Sequence, residues 1–293
     1  MTTVAVVAHR RKHLGGGLVA LRNRLADEGI DTPLWFEVDK SRKAPKRARQ
    51  ALEQGADHVL IWGGDGMVQR CIDVLAGRGA TIGILPAGTA NLFATNLGIP
   101  LDFDGAVNVA LHGNLRVLDA GVINGEHFVV MAGTGFDAEM IKEADRGLKD
   151  RLGRAAYVWT GAKAASLSAQ RLCVRIDGDK WFDGKASCVL FGNVGQVGAG
   201  VHAFEDAHPD DGYLDVGVVV ATTRWQWLRV IALMLAGRPT RSKLVKVTRA
   251  RNADVRLKRK APYELDGGTR AATKHLRVGI EPRAITVCVP ADR

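Results

Sequence analysis

Four short apolar runs, each followed by a segment of helical periodicity, set the first constraint on this chain. Val4–Ala8 precedes Gly17–Ala26, Leu34–Val38 precedes Ala44–Gln54, His58–Trp62 precedes Met67–Ala76, and Thr81–Leu85 precedes Asn91–Leu97. Parallel strands cannot be joined by a tight turn, and a helix is the usual crossover, so this rhythm predicts β-α units building a parallel sheet with helices on its faces. In Met67–Ala76 the apolar residues Val68, Cys71, Ile72 and Leu75 share one helical side, and Gly77 offers a C-terminal cap. Gly98 and Pro100 close the next helix in the same way.

Beyond about Leu115 the period changes. The runs Val117–Ile123, His127–Met131, Leu172–Ile176, Cys188–Phe191, Leu214–Val220 and Val255–Leu257 have strand length, and Asn124-Gly125 and Asp177-Gly178 are hairpin-type turns. The expected organisation is an α/β domain over residues 1–116 and a mainly antiparallel β domain over 117–293, with a return of the last residues to the first domain left open. Helical segments are expected near Asp137–Ser168 and Arg224–Ala236.

The net charge of +10 points to an anionic partner, and nucleic acid, phosphate-bearing small molecules and acidic lipid headgroups all satisfy it. Cys71, Cys173, Cys188 and Cys288 lack C-x-x-C spacing, so they read as reduced thiols of a cytoplasmic protein. The apolar run at Val4 is followed by Arg10, Arg11 and Lys12, the reverse of a signal peptide. Leu228–Ala236 is far shorter than the roughly 20 apolar residues of a membrane span. Any contact with a bilayer is therefore expected to be peripheral.

Gly63-Gly64-Asp65-Gly66 lies at the end of a predicted parallel strand and just before a helix. Ligands of open α/β sheets bind at strand C-termini, where helix N-termini present N–H groups to anions. Glycines let a backbone approach phosphate oxygens, and Asp65 is suited to hold Mg²⁺ directly or through water. A tight turn with a capping aspartate is the plainer reading. A second loop, Pro86-Ala87-Gly88-Thr89-Ala90-Asn91, also follows a strand and opens a helix. Together they make a two-sided phosphate cradle, in which Gly88 admits the nucleotide and Thr89 and Asn91 contact its sugar and phosphates.

This pair of loops resembles the diacylglycerol kinase catalytic domain, shared by bacterial lipid kinases, sphingosine kinases and ceramide kinases. The similarity continues through Gly135-Phe136-Asp137-Ala138, Gly192-Asn193, Gly198-Ala199-Gly200, Asp210-Asp211-Gly212-Tyr213-Leu214-Asp215 and Leu265-Asp266-Gly267. The resemblance implies an α/β nucleotide-binding domain, a β-sandwich-like domain, and ATP in the cleft between them. It assigns the nucleotide to Gly64, Asp65, Gly66 and the opening of the next helix, with Thr89 on the second loop; Gly63, Met67, Arg70, Gly88 and Asn91 are further candidates for nucleotide contact. It also implies a structural Mg²⁺ held by Asp211 and the backbone carbonyls of His208 and Tyr213.

The chain departs from the family pattern where Met67 replaces threonine, Arg70 replaces glutamate, and Ala8-His9-Arg10-Arg11 replaces an asparagine-proline turn. The usual D-G-E segment, whose glutamate is the proposed general base, reads Asp266-Gly267-Gly268. Another carboxylate serving as base, an acceptor that needs none, and loss of catalysis all account for that glycine; Asp65 and Asp266 are the nearest carboxylates in motif terms. Arg70, one turn into its helix, is placed either to pair with a phosphate or to stand in solvent.

Basic clusters at Lys40–Arg49 and Arg241–Lys260 suit an anionic bilayer, and in the second Val255 and Leu257 alternate with Arg256 and Lys258. Trp225, Trp227 and Leu228 are read chiefly as core, with an acyl-chain contact as the sharper alternative. Neither basic cluster has an interleaved aromatic platform, which disfavours nucleic acid. The expected function is an ATP- and Mg²⁺-dependent kinase of a diacylglycerol-like lipid at the inner membrane surface, with a homodimer left open. A soluble-substrate kinase resembling NAD kinase and a non-catalytic nucleotide-binding regulator are the alternatives.

Overall fold

The computed structural model describes residues 2–135, 169–196 and 202–291. The expected helix near Asp137–Ser168, the Phe136-Asp137-Ala138 part of one motif and Gly198-Ala199-Gly200 lie outside the described residues. Contacts divide the chain into one unit of Met1–Ala120 with Pro282–Arg293 and a second of Gly121–Glu281.

The first unit follows the β-α rhythm closely: β1 (Val4–His9), α1 (Gly17–Asp27), β2 (Leu34–Val38), α2 (Ala44–Glu53), β3 (His58–Gly63), α3 (Asp65–Leu75), β4 (Thr81–Pro86), α4 (Leu92–Asn96) and α5 (Phe103–His112). Strand order is β2-β1-β3-β4, with β1 parallel to β2 and β3, and β3 parallel to β4. The end of β14 (Gly268–Val289) lies parallel beside β4, pairing Thr286 with Thr81 and Val287 with Ile82. β1, β3 and β4 are buried along nearly their whole length, as strands of a parallel sheet covered on both faces are, whereas edge strand β2 exposes Glu37. Leu60, Trp62, Leu85, Leu21 and Leu25 form part of one buried cluster, and the anticipated α3 face of Val68, Cys71, Ile72 and Leu75 is buried. Side chains of this size each contribute about 1.5–3 kcal/mol when fully buried.

The second unit is a mainly antiparallel β domain. After the end of β5 (Asn114–Ile123) come β6 (Glu126–Phe128), β7 (Met131–Thr134), β8 (Gln170–Ile176), β9 (Asp179–Ala186), β10 (Cys188–Gly192), β11 (Leu214–Val219), α6 (Arg224–Leu235), β12 (Val245–Ala250) and β13 (Asn252–Leu265). β13 pairs antiparallel with β7, β8 and β14, β10 with β7 and β11, β11 with β12, and β8 with β9. The Asn124-Gly125 and Asp177-Gly178 turns have positive φ at both residues, as the two-residue hairpin needs. Asp266-Gly267 shares that conformation, with φ of 45° and 73°, and joins β13 to β14. On β13 the alternation holds: Val255 and Leu257 are buried while Arg256 and Lys258 are exposed. α6 buries Trp227, Val230, Ile231 and Met234 against Cys188, Leu190 and Phe204, so Trp227 is a core residue. All four cysteines are free. Among the described residues no helix is long and apolar enough to cross a membrane.

Candidate active site

The order β2-β1-β3-β4 places a topological switch between β1 and β3, because the chain leaves β1 toward one edge and β3 toward the other. Loops diverge at such a point and open a crevice at the strand C-termini. β1 ends there in His9 followed by exposed Arg10, Arg11 and Lys12, and β3 ends in Gly63. Trp62 ties these ends together by donating its indole N–H to the Lys12 carbonyl at 3.0 Å. The basic β1 loop at this crevice was not assigned a role from the sequence, although its signal, three bases directly after the first strand, was there.

The glycine loops after β3 and β4 meet backbone to backbone. A Cβ at Gly88 would stand 2.4 Å from the Gly64 Cα, and one at Gly64 would stand 2.9 Å from the Gly88 Cα. The Ala87 N–H donates to the Gly63 carbonyl at 3.0 Å. Asn91, buried and left-handed at φ 48°, fixes this second loop from within. Its Oδ1 accepts from the Gly88 N–H at 2.9 Å, and its Nδ2 donates to the carbonyls of Pro86 (3.2 Å) and Gly88 (3.1 Å). The structure thus packs Gly88 against the other loop and ties the Asn91 amide to its own loop.

Asp65 opens α3, two residues earlier than the periodicity placed the helix start, with Gly64 extended before it. Its carboxylate accepts from the Phe93 N–H at 3.2 Å, so it links the two loops. Burial raises the Asp65 carboxyl above its usual range, and the backbone N–H groups of Phe93, Leu92, Asp65 and Asn91 oppose that shift. A carboxylate in this half-buried position suits a cationic or metal-bearing ligand, whose arrival would favour the ionised form. Gly66 is exposed, and nothing lies within 4 Å of where its Cβ would stand. That open space lies at the N-terminus of α3. Thr89 is exposed on the second loop and Arg70 is half-buried on α3. Met67 is 1% exposed and packs under Gly63, where an added Cβ would fall 2.9 Å from its sulfur, so its side chain belongs to the floor of the loop.

Asp266 lies in the turn between β13 and β14. It is buried, with Oδ2 accepting from the Val129 N–H at 2.8 Å and Oδ1 from the N–H groups of Val130 (2.9 Å) and Met131 (3.0 Å). Its own N–H donates to the Met131 carbonyl, while Asn193 donates from its side chain to the Val129 carbonyl and from its backbone to the Val130 carbonyl. The Gly192-Asn193 and Leu265-Asp266-Gly267 motifs therefore clamp one segment, with the carboxylate as its acceptor. At Gly268 a Cβ would meet the flexible Arg270 guanidinium at 2.8 Å and the Leu265 carbonyl oxygen at 3.4 Å. Arg270 donates to the Gly268 carbonyl at 3.1 Å and pairs with Glu126 at 2.8 Å.

The residues expected to hold Mg²⁺ in the second unit do not fit that ion. Asp211 Oδ1 accepts from the Tyr213 N–H at 3.0 Å, and Oδ2 binds the Arg249 guanidinium. Arg249, cross-strand from Asp215, also reaches the Asp206 carbonyl at 3.4 Å. A fixed cation thus already neutralises Asp211, and a metal would have to displace it; His208 is exposed on the loop before it. Among the described residues no group of three or more His, Cys, Asp or Glu side chains is placed to hold a metal.

Comparison with known proteins places this geometry in a family. Residues 17–123 match the model described as the diacylglycerol kinase catalytic domain, and residues 130–289 match the YegS C-terminal NAD kinase beta sandwich-like domain. A Pseudomonas aeruginosa protein named "Probable lipid kinase YegS-like" is 32% identical over 85% of this chain and 82% of its own length. The Bacillus subtilis protein named diacylglycerol kinase is 29% identical over 76% of this chain and 75% of its own. An uncharacterized protein of Synechocystis is 35% identical over 66% of this chain, which spans 46% of that protein's length. Among solved structures, a diacylglycerol kinase from Bacillus anthracis shares the fold with a TM-score of 0.75 at 18% identity, covering 98% of this chain and 96% of that one. An NAD kinase from Archaeoglobus fulgidus, solved in complex with ATP, follows at a TM-score of 0.54 and 12% identity, covering 98% and 93%. Two adjoining domain models and a relative matched over most of both chains agree, and the chain belongs to the diacylglycerol kinase family of lipid kinases, with a YegS-type C-terminal domain.

Proposed function

We propose that this protein transfers the γ-phosphoryl group of ATP to the hydroxyl of a diacylglycerol-like lipid. One observation carries the proposal: Gly64 and Gly88 bring two loops together at the switch point and leave the space beside Gly66 open, with Asp65 poised at the N-terminus of α3. Gly64, Gly66 and the basic residues Arg10, Arg11 and Lys12 would hold the triphosphate, Thr89 and Arg70 would border it, and Asp65 would orient the Mg²⁺ that accompanies the nucleotide. Mg²⁺ supplies charge neutralisation of the transferring phosphoryl group.

In the reaction the lipid oxygen bonds to the γ-phosphorus, the bond from that phosphorus to the β,γ-bridging oxygen breaks, and the hydroxyl proton passes to water as ADP leaves. Asp266 already accepts from the N–H groups of Val129, Val130 and Met131, and Gly268 has no side chain, so that proton is assigned to neither. Phosphoryl transfer depends mainly on positioning and charge stabilisation, and a base contributes about 10²–10⁴-fold, so turnover without one is slow and not abolished. The enzyme would work in the cytoplasm, peripherally on an anionic membrane surface, where the +10 chain charge favours docking.

Labelled ATP offered with diacylglycerol in mixed micelles and, separately, with NAD tests the acceptor. Label in the lipid is the expected result. Label in NAD would replace the lipid by a soluble acceptor, and ATP binding with no transfer to any acceptor would make the protein a nucleotide-binding regulator.

A further inference from the structure

We infer that β2 and the flank of α1 beside it form a twofold interface through which two copies of this chain pair edge to edge. Among the described residues β2 pairs only with β1, so it is a free edge of the parallel sheet. A free edge invites another strand, and folds blunt such edges with lysines and bulges. β9 carries Lys180 and Lys185 and its ladder with β8 is bulged, and β12 carries Lys246 and Arg249. β2 has neither device: it reads Leu34-Trp35-Phe36-Glu37-Val38 and runs in unbroken register with β1.

The outward backbone groups fix how a second strand would join. The Val38 carbonyl accepts from the Arg10 N–H at 3.0 Å, on the β1 side. Backbone polar groups alternate along a strand paired on one side, so Leu34, Phe36 and Val38 turn theirs to β1 while Trp35 and Glu37 turn theirs outward. Two copies of this edge match when they run antiparallel about an axis at Phe36. Trp35 then exchanges both N–H···O=C bonds with Glu37 of the second copy, Glu37 does the same with that copy's Trp35, and Phe36 faces its own counterpart. Every outward donor and acceptor of Trp35 and Glu37 is used. Pro33, which has no N–H, ends the ladder on each side.

Side chains agree with that axis. Arg22 of α1 lies 3.7 Å from the Trp35 ring centroid and 3.9 Å from the Glu37 carboxylate. Because Trp35 stands opposite Glu37 of the second copy, each Arg22 gains a carboxylate across the interface. One flank of α1 faces α5, where Glu28 joins Arg24 to His112. The other flank, Val19, Arg22 and Ala26, is exposed at helical spacing, with Val19 at 71%. The axis stands perpendicular to the sheet, so both α1 helices lie on one face and these flanks turn toward each other. A second copy thus covers an apolar residue that the fold itself leaves bare. Each copy keeps its own phosphate-loop crevice, because antiparallel pairing turns the two sets of strand C-termini opposite ways.

Sedimentation of the full chain at micromolar concentration is expected to show a dimer. Glu37→Pro removes one outward N–H from each copy, spares the β1 side, and weakens association about 30-fold, the scale of two hydrogen bonds. Arg22→Glu sets carboxylates against each other and weakens it about tenfold, and adding Glu37→Arg to Arg22→Glu restores it. Leu115→Ala, an exposed apolar residue at the start of β5, leaves it unchanged. Cysteine substitution reads the register. Phe36→Cys is expected to give a disulfide-linked dimer with diamide, above the wild-type background, because its counterpart lies directly opposite. Glu37→Cys is not, since its counterpart stands two residues further along the second strand. A monomeric wild type, a dimer that Glu37→Pro and Arg22→Glu leave intact, or linkage through Glu37→Cys in place of Phe36→Cys would each overturn the proposal. Transfer to lipid is a separate readout, and its presence or absence leaves the sedimentation result standing.

Discussion

Asp266→Ala is expected to lower the stability of the C-terminal unit by about 4 kcal/mol, because it strips the acceptor from three buried N–H groups at once. A hydrogen bond to a charged group contributes about 1.5–3 kcal/mol, and water entering the gap recovers part of the loss. Asp266→Asn keeps the side-chain shape and one acceptor oxygen but turns an NH₂ group toward a donor, so about 2 kcal/mol is expected. The left-handed turn at Asp266 tolerates asparagine well, so the backbone adds little to either value. Hydrogen exchange at the amides of Val129, Val130 and Met131 reads the clamp directly: slow in the wild type, faster in both variants. A folded, equally protected Asp266→Asn that had lost transfer by 100-fold or more would instead give this carboxylate to the chemistry.

The second large effect is a contrast between two glycines of one site. Gly88→Val drives a branched side chain into the Gly64 backbone and the Asn91 Oδ1, both nearer than 2.6 Å to the new Cβ. Overpacking commonly costs 1–3 kcal/mol, and here neither backbone can rotate away, so about 3 kcal/mol is expected together with loss of ATP binding. Gly66→Ala meets open space and improves helix propensity, so unfolding stability holds or rises by up to about 1 kcal/mol. ATP affinity nonetheless falls, because the methyl group enters the space proposed for phosphate. Denaturant midpoints and ATP titrations of both variants check this; unchanged ATP affinity in Gly66→Ala would move the nucleotide elsewhere.

Much of the α/β unit was legible because its strands and helices announce themselves by period. β2 was placed to the residue, and β1, β3 and β4 each ran one residue beyond the apolar run. α5 was not expected: its buried face is Ala106, Val107, Val109 and Ala110, a short stripe of small residues, and Gly105 sits in its first turn. The usable signal was Asp102, whose side chain accepts from the Gly105 N–H at 2.8 Å as an N-cap. β9, β12 and β14 were also unread, since Lys180, Gly184 and Lys185, or Thr269, Arg270 and Lys274, break the apolar alternation that marks a strand. The Asp266-Gly267 pair carried the same hairpin signature as Asn124-Gly125, but the motif around it drew attention to chemistry.

In the site, residue types were legible and their partners were not. Asn91 was recognisable as an amide beside a phosphate loop, yet only the folded loop shows both ends of that amide turned back to Pro86 and Gly88. Asp266 finds its donors 135 to 137 residues away, a pairing that no local spacing encodes. Asp211, on the loop before β11, finds Arg249 of β12, and the basic character of that strand had suggested a surface rather than a counter-ion.

Asp65 decides the account. Burial disfavours its charge in the ligand-free fold, so ionised Asp65 costs stability above its usual titration range, and that cost is relieved as pH falls through the raised value. Asp65→Asn removes the charge and keeps an acceptor for the Phe93 N–H, so its ligand-free melting temperature at neutral pH is expected to equal or exceed that of the wild type. Its transfer of labelled γ-phosphate from ATP to diacylglycerol in mixed micelles is expected to fall by about 100-fold or more, the scale of removing one preorganised electrostatic contact. Wild-type transfer that Asp65→Asn retains in full, or no wild-type transfer to any lipid, would contradict the assignment.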